Sequence, residues 1–370
     1  MKKRPLGKTG YEVSPLGFGS MRLPMVDIGG YNYVDLDKAI ETLRAALAGG
    51  VNYIDSAFLY CEGESEYAVG RAIRGYEDQV VLTTKATKQR MANPGDLRRM
   101  LEHQLAKLDR DWVHFYLFHG IGWDNFHEID RKTGWLQDML RAKEEGLVKH
   151  IGMSFHDAPE RMRDLIDLGF IELVTCQYNY LDRRNEESIA YAASKGLGVV
   201  VMGPVGGGRL SVLPKGVRGL PGFSAERAAE LALRFVLANP NVHVALSGMG
   251  SVQMVQENIA TAEMGPLSAA EVAMLTQLMD ENKKLADLYC TGCRYCMPCP
   301  HGVDIPANFE AYNYYQVYGL EDYARRQYAR LVERERDASR CIACGECLAK
   351  CPQNIPIPDQ MQQVVDLFGR

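Results

Sequence analysis

The chain has 370 residues, of which 46% are hydrophobic and 24% charged. This composition is ordinary for a globular protein, and the length suits one large domain plus a small one. The net charge of -5 argues against a general surface for nucleic acid or anionic lipid. The basic start MKKRPLGKTG is followed by no apolar run, and no segment approaches the roughly 18 apolar residues of a membrane span. We therefore expect that the chain has no signal peptide and is not a membrane protein.

Strand-like and helix-like segments alternate from Val13 to about Ala262. The strand candidates are VSPLGFGSM, VNYIDSAF, QVVLTTKA, WVHFYLFHG, KHIGMSF, ELVTCQYN, GVVVMGP and VHVALSG. Nearly unbroken apolar strands suit a parallel sheet that is covered on both faces. Because a helix-like stretch such as DLDKAIETLRAALAGG follows each strand, the pattern predicts an α/β fold, a (β/α)8 TIM barrel. The turn Lys8-Thr9-Gly10 suggests a small hairpin beneath the barrel.

A dinucleotide-binding Rossmann sheet is the disfavoured alternative. The segment Gly17-Phe18-Gly19-Ser20 carries only half of the Gly-x-Gly-x-x-Gly turn that such a sheet needs after its first strand. After Ala262 the alternation breaks at Gly265-Pro266, and one helix candidate then leads into a cysteine-rich region. We therefore predict two domains, a barrel over residues 1–285 and a small, mainly helical domain over residues 286–370.

Polar side chains stand at the ends of three successive strand candidates. Asp55 and Tyr60 follow the second strand, Lys85 ends the third and His119 ends the fourth. In a (β/α)8 barrel these ends line the active site. Asp55 and Lys85 suggest a buried ion pair, and a lysine beside Tyr60 is expected to lower the pKa of the phenol and make it a general acid. Each residue alone also has a structural interpretation, as packing or as a satisfied histidine.

The strand-end residues resemble the aldo-keto reductase family. The segment NYIDSAFLY, residues 52–60, carries the family's Asp-[Ser/Thr]-Ala-x-x-Tyr motif, and Lys85 and His119 match the lysine and histidine of its catalytic tetrad. The resemblance implies a nicotinamide-dependent reductase of aldehydes or ketones, or the reverse oxidation of an alcohol. It further implies that Tyr60 protonates the carbonyl oxygen while Lys85 and Asp55 tune Tyr60.

The resemblance extends to the cofactor positions. The family's Gly-x-Ser-Asn segment appears here as residues 152–155, with Phe155 where an amide side chain is usual. Met202 stands where the family places an aromatic ring. The implied nicotinamide cofactor contacts are Ser154, Gln177, Met202, Gly203, Pro204, Gly248, Glu257 and Asn258.

The preference between NADH and NADPH stays open at the level of sequence. The positions at which NADPH-using members carry a lysine and an arginine look like Gly248 and Met254. A phosphate dianion normally requires cationic donors, so the usual expectation of NADPH is weakened. Arg209 is a candidate for compensation from another loop. The long segment GIGWDNFHEIDRKTGW after His119 is interpreted as a connection over the barrel mouth, with Trp123 and Phe126 as pocket-lining or loop-anchoring residues.

Two cysteine runs end the chain. The run at residues 341–352, Cys-x2-Cys-x2-Cys-x3-Cys-Pro, has the bacterial ferredoxin spacing for a [4Fe–4S] cluster. The run at residues 290–300 is one residue shorter before its last cysteine. Zinc is the alternative, since Cys-x2-Cys pairs also form tetrahedral sites. The candidate ligands are Cys290, Cys293, Cys296, Cys299, Cys341, Cys344, Cys347 and Cys351.

By the two-cluster rule, the first three cysteines of each run share a cluster with the last cysteine of the other run. Two clusters are favoured over one, with a single-cluster domain as the fallback. The forty residues between the runs predict two helices, the first with an aromatic face, as in helical ferredoxin modules and in a subgroup of aldo-keto reductases. Because clustered thiols are metal ligands mainly in reducing compartments, we expect a cytoplasmic protein.

The leading hypothesis is an NAD(P)H-dependent oxidoreductase that acts on a small carbonyl or alcohol substrate. Its clusters would be structural, redox-sensing or electron-transferring toward a partner protein. The alternative is an iron–sulfur electron-transfer protein whose barrel serves as a scaffold for a nucleotide or a partner.

Overall fold

The structure is a computed structural model that describes residues 1–206, 210, 217, 227–285, 290, 296–316, 321–351 and 355–369. It divides into two compact units, one of residues 1–211 with 227–272 and one of the remaining residues. Within the described residues, no helix is both long and apolar enough to cross a membrane. The domain boundary near residue 285 stays a prediction.

The first unit is built on a closed barrel of eight parallel strands, which confirms the predicted fold. In their order around the barrel, the strands are β3 (Leu16–Gly19), β6 (Tyr53–Asp55), β7 (Val81–Thr87), β8 (Val113–Ile121), β9 (Val148–Phe155), β10 (Leu173–Gln177), β11 (Gly198–Met202) and β12 (Val244–Ser247). The barrel closes where β12 pairs with β3. Each predicted strand overlaps one of these elements.

Helices follow the barrel strands and cover their outer faces. They are α1 (Leu36–Ala48), α2 (Ser65–Ala72), α3 (Asp96–Leu108), α4 (Trp123–Thr133), α5 (Trp135–Glu144), α6 (Pro159–Asp167), α7 (Glu186–Ser194), α8 (Ala228–Ala238) and α9 (Val252–Glu263). Helix α10 (Ala269–Leu285) begins in the first unit, and most of its residues belong to the second. The segment after His119 was expected to be a long connection and instead contains α4, whereas α5 is the helix that was predicted to follow this strand. Phe126 is 1% exposed and packs against Phe118, Trp135 and Phe170, so it holds α4 against the barrel.

The predicted N-terminal hairpin is present and lies at the amino-terminal end of the barrel. Its strands β1 (Arg4–Pro5) and β2 (Glu12–Val13) are antiparallel. Leu6 and Val13 are fully buried in one cluster with side chains of the barrel interior. A second hairpin was not predicted: β4 (Met25–Ile28) and β5 (Tyr31–Val34) follow β3.

The second unit contains the helices predicted between the cysteine runs, α11 (Ile305–Gln316) and α12 (Glu321–Glu333). A further helix, α13 (Ile357–Phe368), was not predicted. Phe309, Tyr312, Tyr328 and Met361 form a core against which several cysteines pack. The aromatic face of α11 therefore contributes to this core.

Candidate active site and cluster site

A buried ion pair joins the carboxyl ends of β6 and β7. Lys85 Nζ lies 2.5 Å from Asp55 Oδ1, and it donates a second hydrogen bond to the Ser56 carbonyl oxygen at 2.7 Å. Both charged side chains are at most 3% exposed. Burial lowers the pKa of Lys85, but the charges and hydrogen bonds of Asp55 and Tyr60 together more than offset this, so the pKa is raised. Lys85 therefore keeps its positive charge at neutral pH.

Tyr60 lies directly beside this pair. Lys85 Nζ is 3.3 Å from Tyr60 Oη and 4.7 Å from the centroid of the ring. The sequence-based expectation of a lowered phenol pKa is wrong in sign. Lys85 does lower the pKa of Tyr60, but burial raises it by more and Asp55 raises it further. Tyr60 consequently holds its proton at neutral pH and is present as a donor.

The turn after Tyr60 has an unusual backbone. Cys61 and Glu62 adopt left-handed conformations with φ of 52° and 54°, which residues with a Cβ rarely do. Such local strain persists only where surrounding contacts fix it. Here the Cys61 thiol donates to the Ser20 carbonyl oxygen at 3.4 Å. Cys61 thus packs against the residues that follow β3, and burial raises the pKa of its thiol.

His119 completes the group of strand-end residues. Its ring centroid lies 5.7 Å from that of Tyr60, at an interplanar angle of 81°. Its Nδ1 is 3.2 Å from Thr87 Oγ1, the neighbouring residue in register on β7. Burial, followed by the positive charges of Lys85, His156 and Lys88, lowers the pKa of His119 to about 3. The imidazole is therefore neutral, and when Thr87 donates to Nδ1 the ring proton lies on Nε2.

Sequence reasoning missed two basic residues at the same end of the barrel. Lys88 follows β7 directly, and its Nζ donates to the Gly120 carbonyl oxygen at 2.5 Å. His156 follows β9, and its backbone N–H donates to the Ile121 carbonyl oxygen at 2.8 Å. The signal in the sequence was their position, since both come within three residues of a predicted site residue.

The predicted cofactor residues on β9, β10 and β11 lie at neighbouring strand ends. Ser154 is 2% exposed and pairs in register with Thr175, two residues before Gln177. Gln177 and Met202 are direct register partners. Gly203 has φ of 65°, and a methyl group there would lie 2.4 Å from Gln177 Nε2. Only glycine therefore allows this close approach of the backbone to the Gln177 amide. Pro204 follows, and it is buried.

Three further predicted cofactor residues lie after β12, Gly248 in the loop and Glu257 and Asn258 within α9. Asn258 donates to Ser247 Oγ at 3.0 Å and is buried, whereas Glu257 lies 3.6 Å from a guanidinium nitrogen of Arg227. Gly248 contacts the side chain of Arg22, whose Cδ would lie 3.1 Å from a methyl group at that position. A cation that sequence reasoning missed is thus adjacent to Gly248. Arg209 lies outside the described residues.

The second unit contains a cavity lined by cysteines from both runs. It encloses about 420 Å³ including its open mouth. Its cysteines are Cys296, Cys299, Cys341, Cys344 and Cys347. Cys290 and Cys351 are partly buried against the same core. Cys293 lies outside the described residues.

The described cysteines that line this cavity include the whole ligand set predicted for one cluster. Among the residues that the structure describes, no three Cys, His, Asp or Glu side chains are grouped closely enough to hold a single metal ion. Tetrahedral zinc requires sulfur ligands at about 2.3 Å from one centre. A cubane spreads its thiolate ligands over different iron atoms, so they stand further apart. Cys341, Cys344, Cys347 and Cys299, the predicted set for one cluster, all line the cavity.

A parallel barrel with polar side chains gathered at its carboxyl end is the architecture of a (β/α)8 enzyme. The model of the Aldo/keto reductase family matches residues 15–215, more than half of the chain. The chain belongs to this family and is an oxidoreductase. The model of the 4Fe-4S dicluster domain matches residues 289–355, so the C-terminal region carries such a domain.

Individual relatives cover about three quarters of the chain. The NADH-specific methylglyoxal reductase of Escherichia coli is 27% identical over an alignment of 336 residues, and the match covers 76% of this chain and 99% of that protein. L-galactose dehydrogenase of Arabidopsis thaliana is 27% identical, over 70% of this chain and 86% of its own length. The structure of an aldo/keto reductase from Klebsiella pneumoniae in complex with NADP and acetate matches with a TM-score of 0.61 and 25% sequence identity. The match covers 75% of this chain and 96% of that protein.

Proposed function

We propose that this protein reduces a small aldehyde or ketone to the alcohol with NAD(P)H, and catalyses the reverse oxidation, with Tyr60 as the general acid. The observation that carries the proposal is the protonated Tyr60 phenol held 3.3 Å from the Lys85 ammonium, beside a neutral His119. The similarity to an NADH-specific reductase and to a structure in complex with NADP supports a nicotinamide cofactor.

The residues would act on the carbonyl group as follows. The substrate oxygen accepts hydrogen bonds from Tyr60 Oη and from the His119 ring, which polarise the carbonyl bond. NAD(P)H supplies the hydride that the carbonyl carbon gains. Tyr60 gives its proton to the oxygen, and the resulting phenolate is stabilised by the charge of Lys85 and reprotonated from solvent. Asp55 fixes Lys85 in place through the ion pair.

The cofactor would lie across the strand ends described above. Ser154 and Gln177 would bind its carboxamide, and Met202 would pack on the nicotinamide ring. The glycine at position 203 gives the backbone beside Gln177 its close approach. Gly248, Glu257 and Asn258 would border the adenine end, with Arg22 as a nearby cation.

The C-terminal domain, taken as residues 286–370, would hold two [4Fe–4S] clusters. One set of ligands is Cys341, Cys344, Cys347 and Cys299, and the other is Cys290, Cys293, Cys296 and Cys351. This assignment is supported by the cysteines that line the cavity and by the match to the 4Fe-4S dicluster domain. These clusters exchange single electrons, whereas the barrel chemistry moves a hydride. Hydride transfer in the barrel therefore does not require them.

Replacing Tyr60 by phenylalanine tests the barrel chemistry. Tyr60→Phe removes the proton donor and is expected to lower kcat for NAD(P)H-dependent reduction of small aldehydes by about 10²- to 10⁴-fold. Tyr67→Phe, which removes a hydroxyl from an exposed tyrosine on α2, is the matched control. Both nucleotides are assayed. Unchanged turnover in Tyr60→Phe would overturn the proposed role, and absence of reduction by the unmodified protein would favour the scaffold alternative.

A further inference from the structure

Lys88 is a partly buried cation at the barrel mouth without a carboxylate partner among the described residues. Burial lowers the pKa of its ammonium group. Its one hydrogen bond within the described part of the chain is to the Gly120 carbonyl oxygen. An ammonium group has three donor positions, so this bond accounts for one of them.

Three other lysines of the barrel unit that are buried or partly buried are paired with carboxylates, whereas Lys149 Nζ lies 4.8 Å from the centroid of the Trp112 ring. Lys85 lies 2.5 Å from Asp55, Lys107 lies 2.5 Å from Glu66, and Lys143 lies 2.5 Å from Glu172. Withdrawing a charge from water is costly unless a partner compensates for it. Lys88 departs from this pattern at the end of the barrel where the candidate active site lies.

The position of Lys88 relative to the reacting group is defined by β7 and β8. Thr87 pairs in register with His119 and contacts its Nδ1. The next residues in the chain, Lys88 just after β7 and Gly120 on β8, are joined by the hydrogen bond from Lys88 Nζ to the Gly120 carbonyl oxygen. Lys85 is three residues earlier, or about 10 Å along an extended chain. The ammonium of Lys88 therefore flanks His119 within reach of a small substrate whose carbonyl oxygen lies at Tyr60.

We propose that Lys88 binds the carboxylate of the substrate, so that the protein acts on small oxo acids in preference to neutral carbonyl compounds. This inference rests on the proposed function, since the carboxylate is placed relative to a carbonyl group at Tyr60. Charge-assisted hydrogen bonds from the two remaining donor positions of Lys88 would hold the carboxylate. His156, exposed at the same rim, lies on the neighbouring side of His119.

Matched acid and ester substrates test the assignment. Pyruvate with methyl pyruvate, and succinic semialdehyde with its methyl ester, differ in charge at two distances from the carbonyl group. In Lys88→Gln, kcat/KM for the preferred acid should fall about 10- to 100-fold, as for loss of a hydrogen bond to a charged group, mainly through KM. The corresponding ester should change less than about threefold on the same scale. Lys88→Arg should restore part of the loss.

The control removes a charge from the same turn. Arg90 is exposed, so Arg90→Gln should leave both substrates unaffected. An equal loss for acid and ester in Lys88→Gln would mean that Lys88 only holds the Gly120 turn, and no loss for either would mean that it does not contact the substrate. Either result overturns the assignment.

A binding measurement separates this inference from the proposed function. Calorimetric titration with propanoate requires no turnover, so it remains informative if the protein reduces none of the substrates. Binding to the unmodified protein that is weakened about tenfold or more in Lys88→Gln would support the carboxylate site. Equal binding to both proteins, or none to the unmodified protein, would overturn it.

Discussion

Tyr60 and His119 both keep their neutral forms at the pH of the cell, and burial is the main cause. The pKa of Tyr60 is raised from its usual value of about 10, and that of His119 is lowered to about 3. A general acid that holds its proton is available at every pH below its pKa. A neutral imidazole can donate one hydrogen bond without adding a charge to the site.

These two shifts predict the pH dependence of turnover. The kcat for carbonyl reduction should show no inflection near 6.5, where an ordinary histidine titrates, and should fall only above about pH 10. The measurement is kcat at saturating substrate across this range. An inflection near 6.5 that disappears in His119→Gln would show that His119 does titrate, contrary to this prediction.

At the residue scale, the sequence predicted which side chains meet but not their electrostatics. Asp55, Tyr60, Lys85 and His119 could be located because strand ends converge in a parallel barrel. The sign of the Tyr60 shift could not, because it depends on how deeply the phenol is buried. Lys88 was missed because its lack of a carboxylate partner is visible only in three dimensions.

Gly203 directly follows β11, and its backbone conformation lets the chain pass close to Gln177 at the end of β10. Gly203→Ala combines an unfavourable φ of 65° with a methyl group 2.4 Å from Gln177 Nε2, so the Gln177 amide must move. We expect a loss of about 1–3 kcal/mol in the free energy of unfolding and weaker nucleotide binding. The measurements are denaturant unfolding and the nucleotide Kd.

Gly169 provides the matched control for this substitution. Its φ is 86°, and a methyl group there would have no neighbour within 4 Å. Gly169→Ala should therefore destabilise the fold through its backbone alone and leave nucleotide binding unchanged. If both variants weaken nucleotide binding equally, the contact with Gln177 does not matter for the cofactor.

At the element scale, apolar periodicity located the barrel strands and the helices around them. Periodicity failed for segments whose secondary structure depends on tertiary packing. The segment after His119 looked irregular, yet Phe126 and Trp135 give it an apolar face that packs under the barrel rim. The β4–β5 hairpin was missed because its residues are mostly exposed and carry no core pattern.

At the scale of the whole molecule, barrel and cluster domain are expected to be chemically separable. Anaerobically purified protein should contain about eight iron atoms per chain if both clusters form. Cys344→Ser should remove about half of the iron and leave kcat for carbonyl reduction within about twofold, because hydride transfer takes place within the barrel. Iron and sulfide quantitation beside steady-state kinetics measures both.

Lys350 supplies the control for the cysteine substitution. It lines the same cavity without a thiol, so Lys350→Gln should keep the full iron content. A kcat that falls in proportion to iron in Cys344→Ser would show that electrons used in the barrel pass through the clusters.

The division into a barrel and an iron–sulfur domain could be predicted from the sequence because cysteine spacing is a local signal. Three thiols at x2 spacing fit one loop around a cluster, whatever the rest of the fold. Helix α13 could not be predicted in the same way, because it follows the last cysteine as an isolated segment. Which of its faces is buried depends on its packing against α11 and the core of the second unit.

The N-terminal hairpin limits which end of the barrel substrates and products can use. With Leu6 and Val13 sealing one end, reactants enter and products leave through the other. In the proposed reaction, nucleotide and substrate therefore share the same open end of the barrel, and each can exchange with solvent only there.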